Sequence, residues 1–461
     1  MKIEPQLHPR LETHRKFLFV KWAILILTCA ILISGWYWID AETFGLPRQF
    51  LGRYRPWFFW PASVSGSIVA VAYTYRTILW LTYRPVTAYS ISNHEWPTVT
   101  VVVPAYNEGS MVQKAMLSAI ESDYPADKLH LICVDDGSCD DTYNYMKNIE
   151  NRFPERVSTV QFSSNRGKRH AVHNGIRQAQ SEIIVTLDSD SVLEPQSLKN
   201  LVAPLVLNPD VGAVAGCVLV YNRHDNLITR MLGVRYILGF DFTRAYQSVL
   251  RTVLVCPGAL SAYRREVISP HLDGWLEQHF LGKDCTNGDD HALTNVVLRN
   301  HRGTCYQSNA RALTVVPNTY PALSRMYIRW ARSNIRESWF YTHFSLSRAT
   351  RRREWLAFLD GWIHALQIPI QIYLTLIAIA VVIAYPSFLL RSLVFATLFS
   401  LVYVVYYLRS ERSTEFIFGI LYAWFSVLTL QWIYPWAAIT VGSNQWLTRN
   451  VRGRLATSRR R

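Results

Sequence analysis

Three carboxylate motifs and one cation-aromatic pair punctuate the middle of this chain: Asp135-Asp136, Asp188-Ser189-Asp190, Gly288-Asp289-Asp290 and Arg329-Trp330. Asp188 and Asp190 are two residues apart, so on an extended backbone both carboxylates leave the same face. Such oxygen ligands suit a hard divalent cation on a diphosphate, where the cation acts as a Lewis acid for a departing nucleoside diphosphate. Asp135 and Asp136 end an apolar run ahead of Gly137-Ser138; from there a carboxylate can accept hydrogen bonds from a base or ribose, or simply cap the next helix. Asn165-Arg166-Gly167-Lys168-Arg169 brings cations near the same edge, with Lys168 reaching base or phosphate, or else starting a solvated helix. Asp289 and Asp290 follow Gly288 at a loop-to-helix junction, where one acid can deprotonate an incoming hydroxyl or merely begin the helix. Arg329 can clamp a diphosphate and Trp330 offers a flat face to a sugar ring, although the same pair also suits a basic helix at a membrane surface. Each motif has a plain structural reading by itself. Their ordered joint occurrence favours the chemical one.

The elements that must position these residues follow from hydrophobic pattern. Thr98–Val103, Leu129–Val134, Val157–Phe162 and Glu182–Leu187 read as buried parallel strands, each followed by polar residues and a helix-compatible stretch. This predicts an open α/β sheet, with Asn107-Glu108, Asp135-Asp136 and the Asp188–Asp190 pair at the carboxyl ends of strands, where such sheets bind ligands. Tyr320–Phe344 is aromatic, basic and amphipathic, as expected of an interfacial helix beneath a membrane.

Long apolar stretches flank this block. Phe17–Ile39 can cross a bilayer core of about 30 Å, and reads as a retained anchor. Trp57–Thr82 follows with Arg76 inside it; the favoured reading has Arg76 snorkelling to the cytoplasmic surface, the alternative has it facing protein. Trp362–Tyr385 and Phe388–Leu408 read as a hairpin turned at Pro386-Ser387, and Phe416–Val441 as a bent or re-entrant run around Pro435. Four full spans are expected, six being the alternative. The divisions are 1–90 for a cytosolic tail with two spans, 91–318 for the catalytic unit, 319–356 for interfacial helices and 357–461 for the remaining membrane segments and basic tail.

Composition narrows the class. Half of the 461 residues are apolar, more than one soluble core requires. The net charge of +15 sits in Arg10–Lys21, Arg348–Arg353 and Arg449–Arg461, beside apolar segments. Lipid headgroups and the positive-inside rule account for it, and no nucleic-acid motif accompanies it. Seven Cys, an odd number without CxxC spacing, argue against a disulfide framework or zinc site and for a reducing cytosol.

Several longer stretches carry a family resemblance: Val102-Val103-Pro104-Ala105-Tyr106-Asn107-Glu108, Gly167-Lys168-Arg169-His170-Ala171, Arg244-Ala245-Tyr246-Gln247-Ser248, Val255–Val267, Gly288–Asn295, Arg329–Glu337 and Ser443-Asn444-Gln445-Trp446. With the motifs above, they resemble the processive family 2 glycosyltransferases, and within them the class I hyaluronan synthases. Arg329-Trp330-Ala331-Arg332-Ser333 is also similar to Nod-factor chitooligosaccharide synthases. Departures are Met326 where the family QxxRW has Gln, Pro257-Gly258-Ala259 for SGP, and His291 after the two acids of GDDR.

The resemblance implies a GT-A type α/β sheet inserted between membrane helices, and an inverting, processive β-glycosyltransferase that secretes its polymer through its own channel. Asp290 would be the base. Ala105, Tyr106, Glu108, Asp136, Lys168, Asp188 and Arg329 would bind the UDP-sugar, Asp188 and Asp190 would hold Mg2+ or Mn2+, and Trp330, Cys256 and Asp289 would bind the acceptor. The expected partners are UDP-sugar donors, a growing polysaccharide and the lipid bilayer, with no nucleic acid and no obligatory partner protein. The expected location is the cell membrane, multi-pass, with catalytic domain and both termini cytoplasmic. Hyaluronan from UDP-GlcA and UDP-GlcNAc is the first expectation; a chitooligosaccharide or other β-linked capsule polymer, and a non-processive lipid glycosyltransferase, are the alternatives.

Overall fold

The computed structural model describes residues 16–39, 52, 57, 60–88, 91–92, 95–411 and 413–443. The expectations on the N-terminal tail before Lys16 and on the segment after Ser443, including Asn444, Gln445, Trp446 and the basic tail, lie outside the described residues.

Two helices come first, α1 (Lys16–Ile39) and α2 (Trp60–Thr82). The four β-branched runs then form β1 (Val99–Ala105), β2 (Leu129–Asp135), β3 (Val157–Gln161) and β4 (Ile183–Thr186), with α3 (Met111–Ile120), α4 (Thr142–Arg152) and α5 (Lys168–Gln178) between them. These strands pair in parallel in the order β3-β2-β1-β4. The chain continues through β5 (Ser191–Leu193), α6 (Ser197–Leu207), β6 (Val211–Val220), α7 (Leu227–Leu238), α8 (Ala245–Val249) and β7 (Ser261–Arg264). Short helices α9 (Arg265–Ile268) and α10 (Leu272–Leu276) and the hairpin β8 (His279–Phe280) with β9 (Lys283–Asp284) lead to α11 (Asp289–Arg299) and β10 (Gly303–Thr314). Strand β7 lies antiparallel between β4 and β6, so the complete sheet, β3-β2-β1-β4-β7-β6-β10-β5, is mixed and open. The sequence pattern had disclosed the four strands β3-β2-β1-β4, but not the second parallel pair, β6 with β10.

Strand alternation feeds two cores. Val99, Val101 and Val103 of β1 join one cluster, with Leu131 and Val185, while Val102 joins the other, with Val134 and Ile184. The second cluster does not stop at the domain edge: Trp80 of α2, and Val402, Tyr406 and Tyr407 further along the chain, belong to it. One face of the sheet is thus packed onto the apolar helices.

Those helices are α12 (Tyr320–Arg352), α13 (Trp355–Ala384), α14 (Ser387–Ser410), α15 (Ile417–Thr429) and α16 (Ile433–Ile439). Among the described residues, α13 and α14 are long and apolar enough to cross a membrane, and they turn at Tyr385-Pro386 as expected. Four full spans are expected; among the described residues two helices are long and apolar enough, or three if the bent C-terminal pair counts as one span. The apolar part of α1 whose side chains are described, Lys21–Ile31, is short of a crossing. Helix α2 is less apolar than α13 and α14, and its polar residues make specific contacts: Tyr73 and Tyr403 share a hydrogen bond of 2.5 Å, as do Thr77 and Tyr406. The last run is a pair bent by 50° about the break between α15 and α16, as its proline suggested.

Arg76 corrects a second expectation. It does not snorkel; it is buried, and its Nε donates to Asp360 Oδ1 of α13 at 2.7 Å, while the Tyr75 hydroxyl donates to the same oxygen. A cation among apolar helices is tolerable only when paired, and here the partner lies 284 residues away in sequence. Asp360→Ala is expected to destabilise the fold by about 3–5 kcal/mol, because it leaves a buried guanidinium unpaired. Thermal unfolding in detergent checks this, and an Arg76→Leu/Asp360→Leu double variant should recover most of the loss.

Candidate active site

The carboxyl ends of β1, β2 and β4 place the first residues. Ala105 ends β1 opposite Asp135 of β2, and the chain turns at Tyr106-Asn107-Glu108, with Asn107 in the left-handed region at φ 53°. The Asn107 N–H donates to Ser138 Oγ at 2.9 Å, and Asn107 Oδ1 accepts from the Cys139 N–H at 2.8 Å, tying this turn to that after β2. Asp136 is buried, and its two oxygens accept the backbone N–H groups of Arg166 and Gly167 at 2.7 and 2.9 Å. The carboxylate therefore organises the loop that presents Lys168. Burial raises its pKa above the usual carboxylate range, against the pull of those two N–H groups.

Lys168, first residue of α5, is the hub. Its Nζ lies 2.5 Å from Asp188 Oδ1 and 3.6 Å from Asp289 Oδ2, bringing together residues from three separate motifs. Burial disfavours the ammonium, but Asp188 and then Asp289 hold it charged. Gly258 covers the pair closely: a Cβ there would stand 2.9 Å from Lys168 Nζ and 3.4 Å from Asp188 Oδ1. The same glycine's N–H donates to Asp290 Oδ2 at 3.3 Å. Pro104, Lys168, Asp188, Gly258, Asp289 and Asp290 line one small cleft, floored in part by Trp275.

The two acids at the start of α11 are driven apart electrostatically. Burial opposes ionisation of Asp289, yet Lys168 and then Arg329 hold its carboxyl below the usual range. Burial raises the Asp290 pKa, and the charge of Asp289 adds to it. Paired titratable groups pushed in opposite directions are a mark of acid-base sites. His291 beside them is buried and kept neutral, its pKa pushed down to about 3 by burial and then by the neighbouring His364.

Asp190, two residues beyond Asp188, accepts through Oδ1 from Thr314 Oγ1 at 3.2 Å, and Glu108 Oε1 accepts from Ser189 Oγ at 3.2 Å. Among the described residues no three His, Cys, Asp or Glu side chains gather into a metal cage. The donor set of Asp188 and Asp190 fits a cation such as Mg2+ or Mn2+, which takes one or two carboxylates and completes its shell with substrate phosphate and water. Trp330 is 40% exposed and is braced by Tyr327 and Tyr236, with ring centroids at 5.6 and 6.2 Å. Cys256 is fully buried behind Gly258, its N–H donating to Thr294 Oγ1 at 3.0 Å and its thiol pushed up to about 12 by burial.

Sequence reasoning singled out Gly288 and the Arg329–Glu337 stretch but missed that they hold α12 against the cleft. Gly288 has φ 73°, and a Cβ there would lie 2.0 Å from Ser333 Oγ, so α12 lies directly on the Gly288-Asp289-Asp290 turn. Arg336 donates to the Asn287 carbonyl and, through Nε, to Glu337 at 2.9 Å. Glu337, fully buried, also accepts from Asn295 at 3.1 Å and Gln278 at 3.2 Å, and Gln278 accepts from Arg169 at 2.6 Å. Met326, standing where the family has Gln, packs with Val220, Leu232, Val316 and Leu323, which leaves no polar role for that position.

With this geometry established, the comparisons with known proteins are specific. Residues 100–272 match the family described as Glycosyl transferase family 2. A hyaluronan synthase from Streptococcus pyogenes is 36% identical over 245 residues, 52% of this chain and 58% of that protein. An N-acetylglucosaminyltransferase from Mesorhizobium japonicum is 34% identical over 247 residues, 54% of this chain and 58% of that one. The chain thus spans 58% of the length of the curated relatives it matches. The mannosyltransferase PcManGT from Pyrobaculum calidifontis, solved in complex with GDP-Man and Mn2+, superposes with a TM-score of 0.52 at 21% identity, covering 91% of this chain and 99% of that one. This likeness shows a shared GT-A-like fold.

Asp136→Ala removes two hydrogen bonds to a charged acceptor, each worth about 1.5–3 kcal/mol. The expected result is faster amide hydrogen exchange at Arg166 and Gly167, with β1 and β2 still protected.

Proposed function

We propose, from the premise that this chain carries a family 2 glycosyltransferase domain over residues 100–272, that it is a membrane-embedded, processive, inverting β-glycosyltransferase. Its donors are UDP-GlcA and UDP-GlcNAc, its product is hyaluronan, and the polymer leaves through a channel formed by its own membrane helices. The observation that carries the reading is the convergence of Lys168, Asp188, Gly258, Asp289 and Asp290 on one cleft packed against apolar helices.

In this reading Ala105, Tyr106, Glu108 and Asp136 seat the uridine, Asp136 largely by holding the loop before Lys168. Asp190 and Asp188 hold Mg2+ or Mn2+, which when bound supplies positive charge to the diphosphate. Asp290, the acid with the raised pKa, takes the proton from the terminal hydroxyl of the acceptor. That oxygen bonds to the anomeric carbon as the bond to UDP breaks on the opposite face, so an α-linked donor yields a β linkage. Lys168 and Arg329 stabilise the charge gathering on UDP. Asp289 stays ionised and keeps Lys168 in place, while Trp330 stacks on the acceptor sugar and Cys256 backs the acceptor side. Both termini and the catalytic domain lie on the cytoplasmic side, where the donors are.

A second reading, synthesis of a chitooligosaccharide from UDP-GlcNAc alone, is favoured by the N-acetylglucosaminyltransferase likeness. Purified protein in detergent with Mn2+ and labelled UDP-GlcNAc, with and without UDP-GlcA, separates the two. A large product that needs both donors and is destroyed by hyaluronidase supports hyaluronan. Product from UDP-GlcNAc alone supports the second reading, and a single labelled sugar on lipid would overturn both.

Asp290→Asn is expected to abolish transfer while leaving UDP binding intact, measured by calorimetry. The acid limb of kcat/KM should lie above the ordinary aspartate value of about 3.9, since protonating a base with a raised pKa stops the reaction at a higher pH. Trp330→Ala should depress transfer to acceptor more than donor hydrolysis; equal losses would make it a structural anchor.

A further inference from the structure

Helix α7 does not end where its α-type hydrogen bonding does. It runs through a π-helical segment, Gly239–Arg244, straight into α8. Such widened turns are rare and occur frequently at functional sites. Tyr236 stands in the turn before the segment, and Phe240 and Arg244 lie within it. Buried Phe240 is the support: the Tyr236 ring is 6.1 Å from its centroid, and the Arg244 guanidinium lies 3.8 Å over it. Arg244 is committed to the backbone, donating to the Val255 and Gly239 carbonyls at 3.2 and 3.1 Å. Tyr236 is differently placed. It is half-buried, and its ring meets Trp330 of α12 at 6.2 Å and 48°, an open V rather than a closed stack. Tyr327 braces Trp330 at 5.6 Å, so the indole is fixed within an aromatic frame contributed by two helices.

The charged groups that Tyr236 faces come from three elements: Asp188 and Asp190 beyond β4, Arg329 from α12, and Arg235 from its own helix. Burial keeps the phenol protonated, and hence a hydrogen-bond donor.

We propose that Tyr236 is the second wall of the acceptor slot. Its ring and that of Trp330 hold the terminal pyranose of a glycan acceptor, and its hydroxyl donates a hydrogen bond to that sugar. The proposal rests on the glycosyltransferase reading and adds to it a residue outside every motif that carries the family resemblance. Two inclined aromatic rings present apolar faces to the C–H face of a sugar, while a phenol at the rim satisfies a hydroxyl, the usual division of labour in a pocket that orients its ligand. A Tyr serving only as packing would alter melting without altering acceptor use.

The test compares full-length wild type, Tyr236→Phe and Tyr236→Leu in detergent, reading three quantities: UDP release by donor hydrolysis, KM for a short oligosaccharide primer, and product length. Tyr236→Leu should raise the primer KM by roughly tenfold or more and shorten products, with donor hydrolysis within roughly twofold of wild type, as expected for loss of one apolar wall of a sugar site. Tyr236→Phe keeps the wall and should restore primer KM to near wild type, with a lower rate of extension. Unchanged primer KM and product length in Tyr236→Leu, or equal losses of hydrolysis and transfer in Tyr236→Phe at unchanged melting temperature, would overturn the proposal. Wild-type protein that turns over no UDP-sugar would instead overturn the glycosyltransferase reading, and the acceptor slot with it.

Discussion

The buried contact between Arg336 and Glu337 of α12 and the turn before Asp289 is the constraint on which the site depends. Glu337 has no exposed surface, so its charge is tolerable only because Arg336, Asn295 and Gln278 all donate to it. Each donor belongs to a different piece of structure: α12 itself, α11, and the segment ahead of β8. Removing the acid would leave several buried donors unsatisfied at once, so the network fixes the separation between the acids at the start of α11 and the Arg329-Trp330 pair two turns earlier on α12. The stretch from Arg329 to Glu337 thus carries, along one helix, a cation whose charge acts on Asp289 at its start and a buried clamp at its end.

Electrostatics within the cleft follow from this fixed geometry. Lys168 is shared between Asp188 and Asp289, and it holds Asp289 ionised, which in turn raises Asp290. Burial, with the charge of Asp289 added, raises Asp290 although Lys168 pulls it down as well, so two adjacent aspartates behave differently. Gly258 belongs to the same arrangement, since any side chain there would press on Lys168 and Asp188. In this chain SGP is replaced by Pro257-Gly258-Ala259, so the glycine required by the close approach is retained while its neighbours differ.

Much of the sheet was legible because a buried parallel strand leaves an unambiguous run of β-branched residues, as in Val99–Val103. The rest of the sheet was harder: β5 and β7 are only three and four residues long, too short to show a period, and the longer β6 and β10, which pair in parallel, were not read as strands either. The junction at Gly288 was readable from its acids, as was the bend near Pro435. Arg76 was misread because composition reveals a cation but not its partner, and Asp360 lies in a segment whose pattern is otherwise apolar. Arg169 and Glu337 lie within stretches that carry the family resemblance, but nothing in the sequence showed that they meet through Gln278, since buried polar side chains resemble surface ones until the fold brings them together. Tyr236 escaped notice for a related reason: aromatic residues at helical spacing ordinarily signal a core.

The Arg76 pair has a consequence for the making of the protein. Helix α2 leaves the ribosome long before α13 exists, so throughout synthesis of the whole catalytic domain its guanidinium lacks the carboxylate that permits its burial. The early helices cannot reach their final seat until the chain has grown past residue 360, and assembly must close from the C-terminal side back onto the N-terminal one. The packing of α2 against α13 is therefore completed late, and a nascent chain halted before residue 360 carries a cation without the carboxylate that permits its burial.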